Sequence, residues 1–282
     1  MKNKFLVAIL LLIGSFSLSA QSISYNYGQD NFLRLEFNRP LLSEDLGVRF
    51  LTFDSFLNGE FTIGEKNKIA FEIPFSRFSF DFGFGNSSES NLGNIAIAYQ
   101  IRDLVNPNYF EFKVRVPTAG RNSFLFTDYT ERFASIFPDL FSIEGSYNFE
   151  SKNTLGWYYR FKPGLKLLIP TNGDDSFIIN DVELLLDVNV LGGFRSEKFD
   201  VNAGITTSTL ISEEDSDLDS RVLRQLFTTV TFVRGAWKPG LIIRVPLGDP
   251  FGDLLELALG VHVGYTFGTK SKRAALDSLR DR

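Results

Sequence analysis

The 282-residue sequence contains no cysteine, one histidine and, after its N-terminal region, no long uninterrupted apolar run. Without cysteine the chain can form neither disulfides nor thiolate metal sites, and a single histidine excludes metal sites built from several histidines. A helical membrane span needs roughly 18 or more consecutive apolar residues, so the sequence predicts no such span. The net charge of −5 lacks the basic footprint of nucleic-acid-binding proteins. We therefore predict no cofactor, no metal and no nucleic-acid partner.

The sequence is rich in phenylalanine, which occurs 30 times. Apolar and polar or small residues also alternate strictly, most clearly from Leu254 to Phe267. Odd-numbered positions from Leu255 onward are apolar or aromatic, whereas even-numbered positions from Glu256 onward are polar or small. A period of two is the strand period, because successive side chains point to opposite faces. This segment is longer than the usual strand of about five or six residues. An apolar face opposite a polar face is the pattern of a transmembrane β-barrel strand.

The N-terminal region resembles a secretory signal peptide. Lys2 and Lys4 precede a short apolar run at 5–13, and 17–20 ends in the small-x-small pattern of a cleavage site. We predict a signal peptide over 1–20, a barrel over 21–267 and a charged periplasmic tail over 268–282. A barrel delivered in this way is predicted to lie in the cell outer membrane, with its lipid and the barrel-insertion machinery as partners.

Amphipathic segments recur along the chain, and we count twelve, an even number as in single-chain bacterial barrels. The predicted strands are 31–38, 46–57, 66–80, 93–102, 109–117, 139–150, 155–169, 177–191, 198–211, 222–235, 237–247 and 254–267. Their connections alternate between longer loops, including 118–138 and 212–221, and mostly tight turns. Long loops face outward in such barrels and short turns face the periplasm. The predicted fold is therefore all-β, an antiparallel up-and-down transmembrane β-barrel of about twelve strands with both termini periplasmic.

Aromatic residues support the same placement of the chain. Trp157 and Trp237 open two predicted strands at the periplasmic rim, where an aromatic girdle is found in such barrels. Pro117, Pro170 and Pro246 close three strands at the opposite end, where a strand no longer needs the N–H group that proline lacks.

Charged residues occupy the face of the strands opposite to the apolar one. A lysine or arginine facing lipid at the midplane would cost roughly 2–4 kcal/mol, so these residues are predicted to face the interior. The predicted pore-lining residues are Lys113, Arg115, Glu144, Arg160, Lys162, Lys166, Asp181, Glu183, Asp187, Arg244, Glu256 and His262. Symmetric hairpins would pair Lys166 with Asp181, Arg160 with Asp187, Glu144 with Lys162, Arg244 with Glu256, and Lys238 with His262.

Two functions fit this interior. The charges either line a wet pore, with a basic arc of Lys113, Arg115, Arg160, Lys162 and Lys166, or they pair off as struts that fill a narrow barrel. Eight strands give an interior that side chains can fill and sixteen leave an aqueous channel, so twelve lies between. Small inward residues at Ala96, Ala98, Gly204, Ala258, Gly260 and Gly264 favour a narrow pore. The leading prediction is a channel for passive diffusion of small solutes, and the alternative is a closed barrel that acts through its outer loops.

An enzyme is not predicted. Barrel hydrolases usually use a histidine as base, and His262 lies alone on a polar face. Ser208 is not on a neighbouring strand, and the sequence contains no G-x-S-x-G motif. Catalysis by Asp181 and Asp187 stays open, although ion pairing accounts for both more simply.

Two features resemble known proteins. The signal ending in Ser19-Ala20-Gln21 resembles outer-membrane proteins of the Bacteroidetes type. The segment 93–99, GNIAIAY, followed by a strand closing in VPTAG at 116–120, resembles the outer-membrane transporters associated with meta-pathway phenol degradation. This resemblance implies a channel of about twelve strands for hydrophobic or aromatic solutes, and it transfers no functional residue.

Overall fold

The computed structural model describes residues 31–42, 49–50, 53–64, 66–81, 86–102, 108–120, 130, 132–135, 137–172, 181–212, 221–248 and 255–267. The predicted signal peptide and C-terminal tail lie outside these residues. None of the helical structure within these ranges is long and apolar enough to cross a membrane.

The described chain is almost entirely β-strand, with one turn of 3-10 helix at Phe133–Ser135. The strands are β1 (Asn31–Leu42), β2 (Arg49–Phe50), β3 (Phe53–Thr62), β4 (Asn67–Asp81), β5 (Asn86–Leu92), β6 (Ala96–Arg102), β7 (Tyr109–Arg115), β8 (Leu140–Lys152), β9 (Trp157–Pro170), β10 (Glu183–Arg195), β11 (Phe199–Leu210), β12 (Val222–Phe232), β13 (Trp237–Pro246) and β14 (Leu255–Phe267).

Twelve of these strands form a closed antiparallel barrel, which confirms the predicted fold. Each pairs with its neighbour along the chain from β6 to β14, β14 pairs with β1, and β1 continues through β3 and β4 back to β6. The short strands β2 and β5 pair with the far end of β4 and extend it beyond the ring. We call the end where β1 begins and β14 finishes the terminus end, and the opposite end the loop end.

The two faces of the wall differ as the alternation predicts. Large apolar side chains are exposed on the outer face of the ring, among them Ile97, Leu165 and Val261. Trp157 and Trp237 are 59% and 56% exposed and lie at the terminus end, next to tight turns that contain Gly156 and Gly235 in positive-φ conformation. Charged and amide side chains point inward and are buried. The outer face is therefore the surface of a protein that is surrounded by an apolar medium.

Two predicted strand boundaries are wrong for the same physical reason. β3 extends to Thr62 where the prediction ends at 57, and β10 extends to Arg195 where the prediction ends at 191. Glycine is a turn residue by ordinary preference, but Gly59 and Gly193 lie within these strands. A Cβ atom at Gly59 would lie 2.3 Å from the Phe71 ring, and one at Gly193 would lie 2.7 Å from the Tyr158 ring. These glycines make room for an aromatic ring on the next strand.

The shifted turns also move the predicted hairpin registers. Lys166 lies opposite Leu185 on β10 and opposite Glu144 on β8, and both registers differ from the predicted ones by four residues. Arg244 lies opposite Ala258, two positions from the prediction. Because both errors are even numbers, the side chains stay on their predicted face while their partners change.

Glu256 and Asp181 are not on the interior face, and both predictions are wrong. The β1–β14 register shifts between Leu41 and Leu42, which pair with Leu257 and Leu255, so Glu256 lies in a bulge and is exposed. A bulge adds one residue and reverses the faces beyond it. Asp181 precedes β10 and is exposed, and Glu183 is half-buried at the loop end of that strand.

Candidate functional site in the barrel interior

Part of the connection between β7 and β8 lies inside the barrel. We call residues 130–139, as far as they are described, the inward segment. Thr130, Arg132, Ala134 and Ser135 are each at most 2% exposed. The prediction that 118–138 is an outer loop is therefore wrong for this portion. Its physical cause is visible in the packing, since Ala134 and Phe137 contact inward leucines of β8, β9 and β10 near the loop end.

Arg132 connects the inward segment to β1. Its guanidinium donates to Glu36, with Nη1 lying 2.9 Å from Oε1. Glu36 is completely buried and also accepts hydrogen bonds from Arg34 and, at 2.8 Å, from Nη2 of Arg244. Asn38 accepts a second bond from Arg244 at 2.8 Å. Three arginines thus share one buried carboxylate, which compensates for the loss of its hydration.

The same arginine reaches β4. Nε of Arg132 donates to Glu72 at 2.9 Å, and Arg115 donates to the other oxygen of Glu72 at 2.7 Å. The guanidinium lies over the Phe56 ring, 3.7 Å from its centroid, in a cation–π contact. Arg132 therefore crosses from β4 to β1 inside the ring. We call the set Arg34, Glu36, Glu72, Arg115, Arg132 and Arg244 the Arg132 cluster.

Gly93 and Asn94 hold the other end of the inward segment. The Asn94 side chain donates to the carbonyl oxygens of Ala134 at 2.8 Å and Phe137 at 2.6 Å, and it accepts from the Ala119 N–H at 2.8 Å. A Cβ atom at Gly93 would lie 2.4 Å from the Ser135 carbonyl oxygen. The motif at 93–99 that carries the family resemblance thus begins with the residues that dock the inward segment.

The predicted basic arc is inside the barrel, but each member has a carboxylate partner. Arg115 pairs with Glu72, as described above, and four further ion pairs bind the rest. They are Lys113–Glu144 at 3.2 Å, Arg160–Glu150 at 2.6 Å, Lys162–Glu111 at 2.9 Å and Lys166–Asp187 at 2.6 Å. The arc is therefore largely neutralised, with two partners directly opposite on β8, two partners two strands away and only Asp187 in a diagonal position.

Small inward residues leave less space than expected. Cβ atoms added at Gly260 and Gly264 would lie 2.2 Å from Asn38 Oδ1 and 2.7 Å from the Phe32 ring, and at Gly204 the carbonyl oxygen of Val190 lies at 2.3 Å. Ala96 and Ala98 are different, because both line a cavity of about 60 Å³ beneath Arg132. Phe32, Lys113 and Glu111 also line it. One open volume therefore lies on the terminus side of the Arg132 cluster.

A third feature of the interior is a group of uncharged polar side chains that have no protein partner among the described residues. It comprises Ser146 and Asn148 on β8, Asn202 on β11 and Thr229 on β12, each at most 4% exposed. Asn202 and Thr229 face each other directly across neighbouring strands. The β8 pair is separated from the β11–β12 pair by β9 and β10, and we call the set of four residues the neutral patch. Buried polar groups are almost always hydrogen-bonded, so water is the expected partner here.

The candidate catalytic residues do not come together. Nε2 of His262 lies 3.1 Å from the Thr231 hydroxyl, whereas Ser208 donates to Asp187 at 2.5 Å, and Asp187 also binds Lys166. Among the described residues, no group of three potential metal ligands is present.

Sequence reasoning missed Arg132, Glu36, Glu72 and Asn94. The available signal was the region 118–138 itself, because a long outer loop carrying Phe133 and Phe137 beside an arginine is unusual. Glu36 and Glu72 lie on inward positions of strands that were correctly located. They were not singled out because their partners are on distant strands.

No protein-family profile and no curated protein matches this chain in sequence. Solved structures do match in shape. An outer membrane channel from Pseudomonas putida F1 aligns with a TM-score of 0.59 and 10% identity over 89% of this chain and 98% of that one. The translocator domain of the autotransporter NalP from Neisseria meningitidis gives 0.56 and 10% identity over 94% and 96%.

LpxR from Salmonella typhimurium aligns with a TM-score of 0.50 and 9% identity, over 84% of this chain and 100% of the LpxR chain. These neighbours differ in what they do but share one architecture. The chain therefore has the fold of outer-membrane β-barrels.

Proposed function

We propose that the chain is an outer-membrane channel of narrow bore that passes small solutes by diffusion. Three features support this proposal: the apolar outer face, the shape shared with outer-membrane barrels, and an interior that is polar along its length. The loop end faces the outside in this proposal, and the termini face the periplasm.

The neutral patch is the observation that carries the proposal. A barrel held shut by struts would satisfy its inward polar groups with one another. Within the described residues, Ser146, Asn148, Asn202 and Thr229 instead lack a protein partner, and the proposal assigns water to them as the partner. A path filled by water along β8, β11 and β12 would bypass the Arg132 cluster.

The chemistry of this path favours uncharged solutes. Most charged interior groups, including the whole basic arc, are engaged in ion pairs, so little net charge faces the path. An apolar cluster of Phe32, Tyr158, Leu191, Phe227 and Ile242 adjoins Asn202 and Thr229 inside the barrel. Amide and hydroxyl groups next to aromatic rings suit small uncharged solutes that contain an apolar or aromatic part.

A closed barrel is the second candidate, and the inward segment favours it. Glu36 is fully buried beneath Arg132, and the segment fills part of the loop end. In that case the barrel would act as a structural or binding protein through its outer surface.

Conductance in planar bilayers distinguishes the two candidates. We expect small, ohmic steps with a cation-to-anion permeability ratio near one. Asn202→Trp is expected to reduce the step, whereas the matched control Val263→Trp, on the outer face, is expected to leave it unchanged. Silence of the inserted wild-type chain at every voltage would leave the closed barrel as the function.

A further inference from the structure

The outer face of the barrel carries an apolar groove near the loop end. It has a volume of about 510 Å³ and lies over β1, β13 and β14. Phe37, Leu241, Ile243, Leu259 and Val261 form its walls, and each is more than 40% exposed. Pockets for small molecules have volumes of roughly 300–1,000 Å³, so the groove can accept a hydrocarbon chain of a lipid.

Two arginines stand at the loop end of this groove. Arg39 lines it directly, two positions beyond Phe37 on the same outward face of β1. Phe53, on β3, lines it too and pairs with Arg77 on β4. Arg39 and Arg77 are both exposed and outward-facing, on either side of Phe53.

The position of these arginines is unusual for an outer wall. Between the asparagine that begins each strand and its arginine, the outward positions of β1 and β4 are all apolar. Within the described residues, neither guanidinium has a carboxylate or other polar partner. An outward arginine costs roughly 2–4 kcal/mol at the midplane but about 0–1 near the interface, so this pair belongs at the headgroup level. An anionic headgroup there would provide the missing partner.

We propose that this groove binds a phosphate-bearing lipid with an anionic headgroup, with an acyl chain against Phe37, Leu259 and Val261 and the phosphate between Arg39 and Arg77. Arginine presents a planar fork that matches phosphate oxygens, which explains the choice of residue. The inference rests on the membrane location proposed above. If the loop end faces outward, the lipid is a phosphorylated glycolipid of the outer leaflet.

Native mass spectrometry of the folded full barrel in detergent, titrated with lipid A or with phosphatidylcholine, tests the site. Arg39→Gln with Arg77→Gln is expected to weaken lipid A binding about a hundredfold, because each lost charge-assisted hydrogen bond reduces affinity roughly tenfold. The matched control, Arg234→Gln with Lys152→Gln, removes the same charge from exposed positions at the terminus end and is expected to bind as wild type does. Equal binding by all three proteins would overturn the proposal.

A second variant separates the groove from its arginines. Val261→Trp fills the groove and keeps both charges, so it is expected to weaken lipid A binding as well. If Val261→Trp binds normally and inorganic phosphate competes fully, the arginines hold a free anion and the lipid site is refuted. A chain that inserts and conducts but shows no preference for lipid A would refute this inference alone, whereas a lipid-binding chain that is silent in bilayers would refute the channel alone.

Discussion

Two regions of the barrel interior bury their polar groups in opposite ways. In the Arg132 cluster, two carboxylates are bound by four arginines from β1, β7, β13 and the inward segment. In the neutral patch, Ser146, Asn148, Asn202 and Thr229 have no protein partner within the part of the chain that the structure describes. The first region is fixed by its own charges and the second depends on water. We infer that the cluster holds the inward segment in place and that the patch provides the route for solutes.

Arg132→Ala is expected to have the largest effect on this division. Breaking a buried ion pair by removing one partner costs about 3–5 kcal/mol, and Arg132 serves both Glu36 and Glu72. The free energy of unfolding in lipid vesicles should fall by that amount, and the conductance step should grow because the inward segment is released. Arg132→Lys keeps the positive charge but lacks the planar guanidinium, so the free energy of unfolding should fall by less than in Arg132→Ala. An unchanged unfolding midpoint in Arg132→Ala would contradict the role of the cluster.

Gly93→Ala addresses the other attachment of the same segment. The new Cβ would meet the Ser135 carbonyl oxygen at 2.4 Å and Pro74 at 2.8 Å, and overpacking of this kind costs about 1–3 kcal/mol. The control is Gly192→Ala, where no atom lies within 4 Å of the new Cβ. Limited proteolysis should cut the region 121–137 faster in Gly93→Ala than in the control. Equal rates would show that the close packing at Gly93 does not hold the segment.

Thr229→Val and Thr231→Val compare the two kinds of polar group on one strand. Thr231 bonds to His262, so its replacement should cost about 1 kcal/mol of unfolding free energy. Thr229 has no protein partner, so the isosteric valine should leave stability nearly unchanged while lowering conductance by removing a site for water. If Thr229→Val conducts as wild type does, the solute path does not follow β12.

The smallest effect concerns Glu256. The sequence predicted an ion pair between Arg244 and Glu256, but Arg244 binds Glu36 and Glu256 is exposed. A double-mutant cycle between Arg244 and Glu256 should give a coupling below about 0.5 kcal/mol, as for independent sites. The cycle between Arg244 and Glu36 should give a clearly larger value. A strong coupling to Glu256 would mean that β14 lacks the bulge.

The sequence was sufficient to predict the number of strands, the closure and the face of most side chains, because these follow from a period of two. It was insufficient for register. Gly59 and Gly193 are turn residues by ordinary preference, and only the Phe71 and Tyr158 rings on adjacent strands explain why they lie within strands. Such cross-strand fits depend on residues far apart in sequence.

The candidate site was predicted less completely than the wall. Lys113, Arg115, Arg160, Lys162 and Lys166 were correctly placed inside the barrel. Their partners were not, because most ion pairs join diagonal positions or strands that are not consecutive. Arg132 was missed because the apolar residues near it, Phe133 and Phe137, were not interpreted as a sign that the loop folds inward.

The contacts of the inward segment also constrain the order in which the barrel assembles. Arg132 binds Glu36 on β1, and Thr130 bonds to Thr206 on β11, so the segment touches both early and late parts of the chain. These contacts can form only after β11 has joined the ring and β1 lies within reach. During insertion the inward segment therefore stays undocked until these strands are in place, and it becomes buried only when the barrel closes.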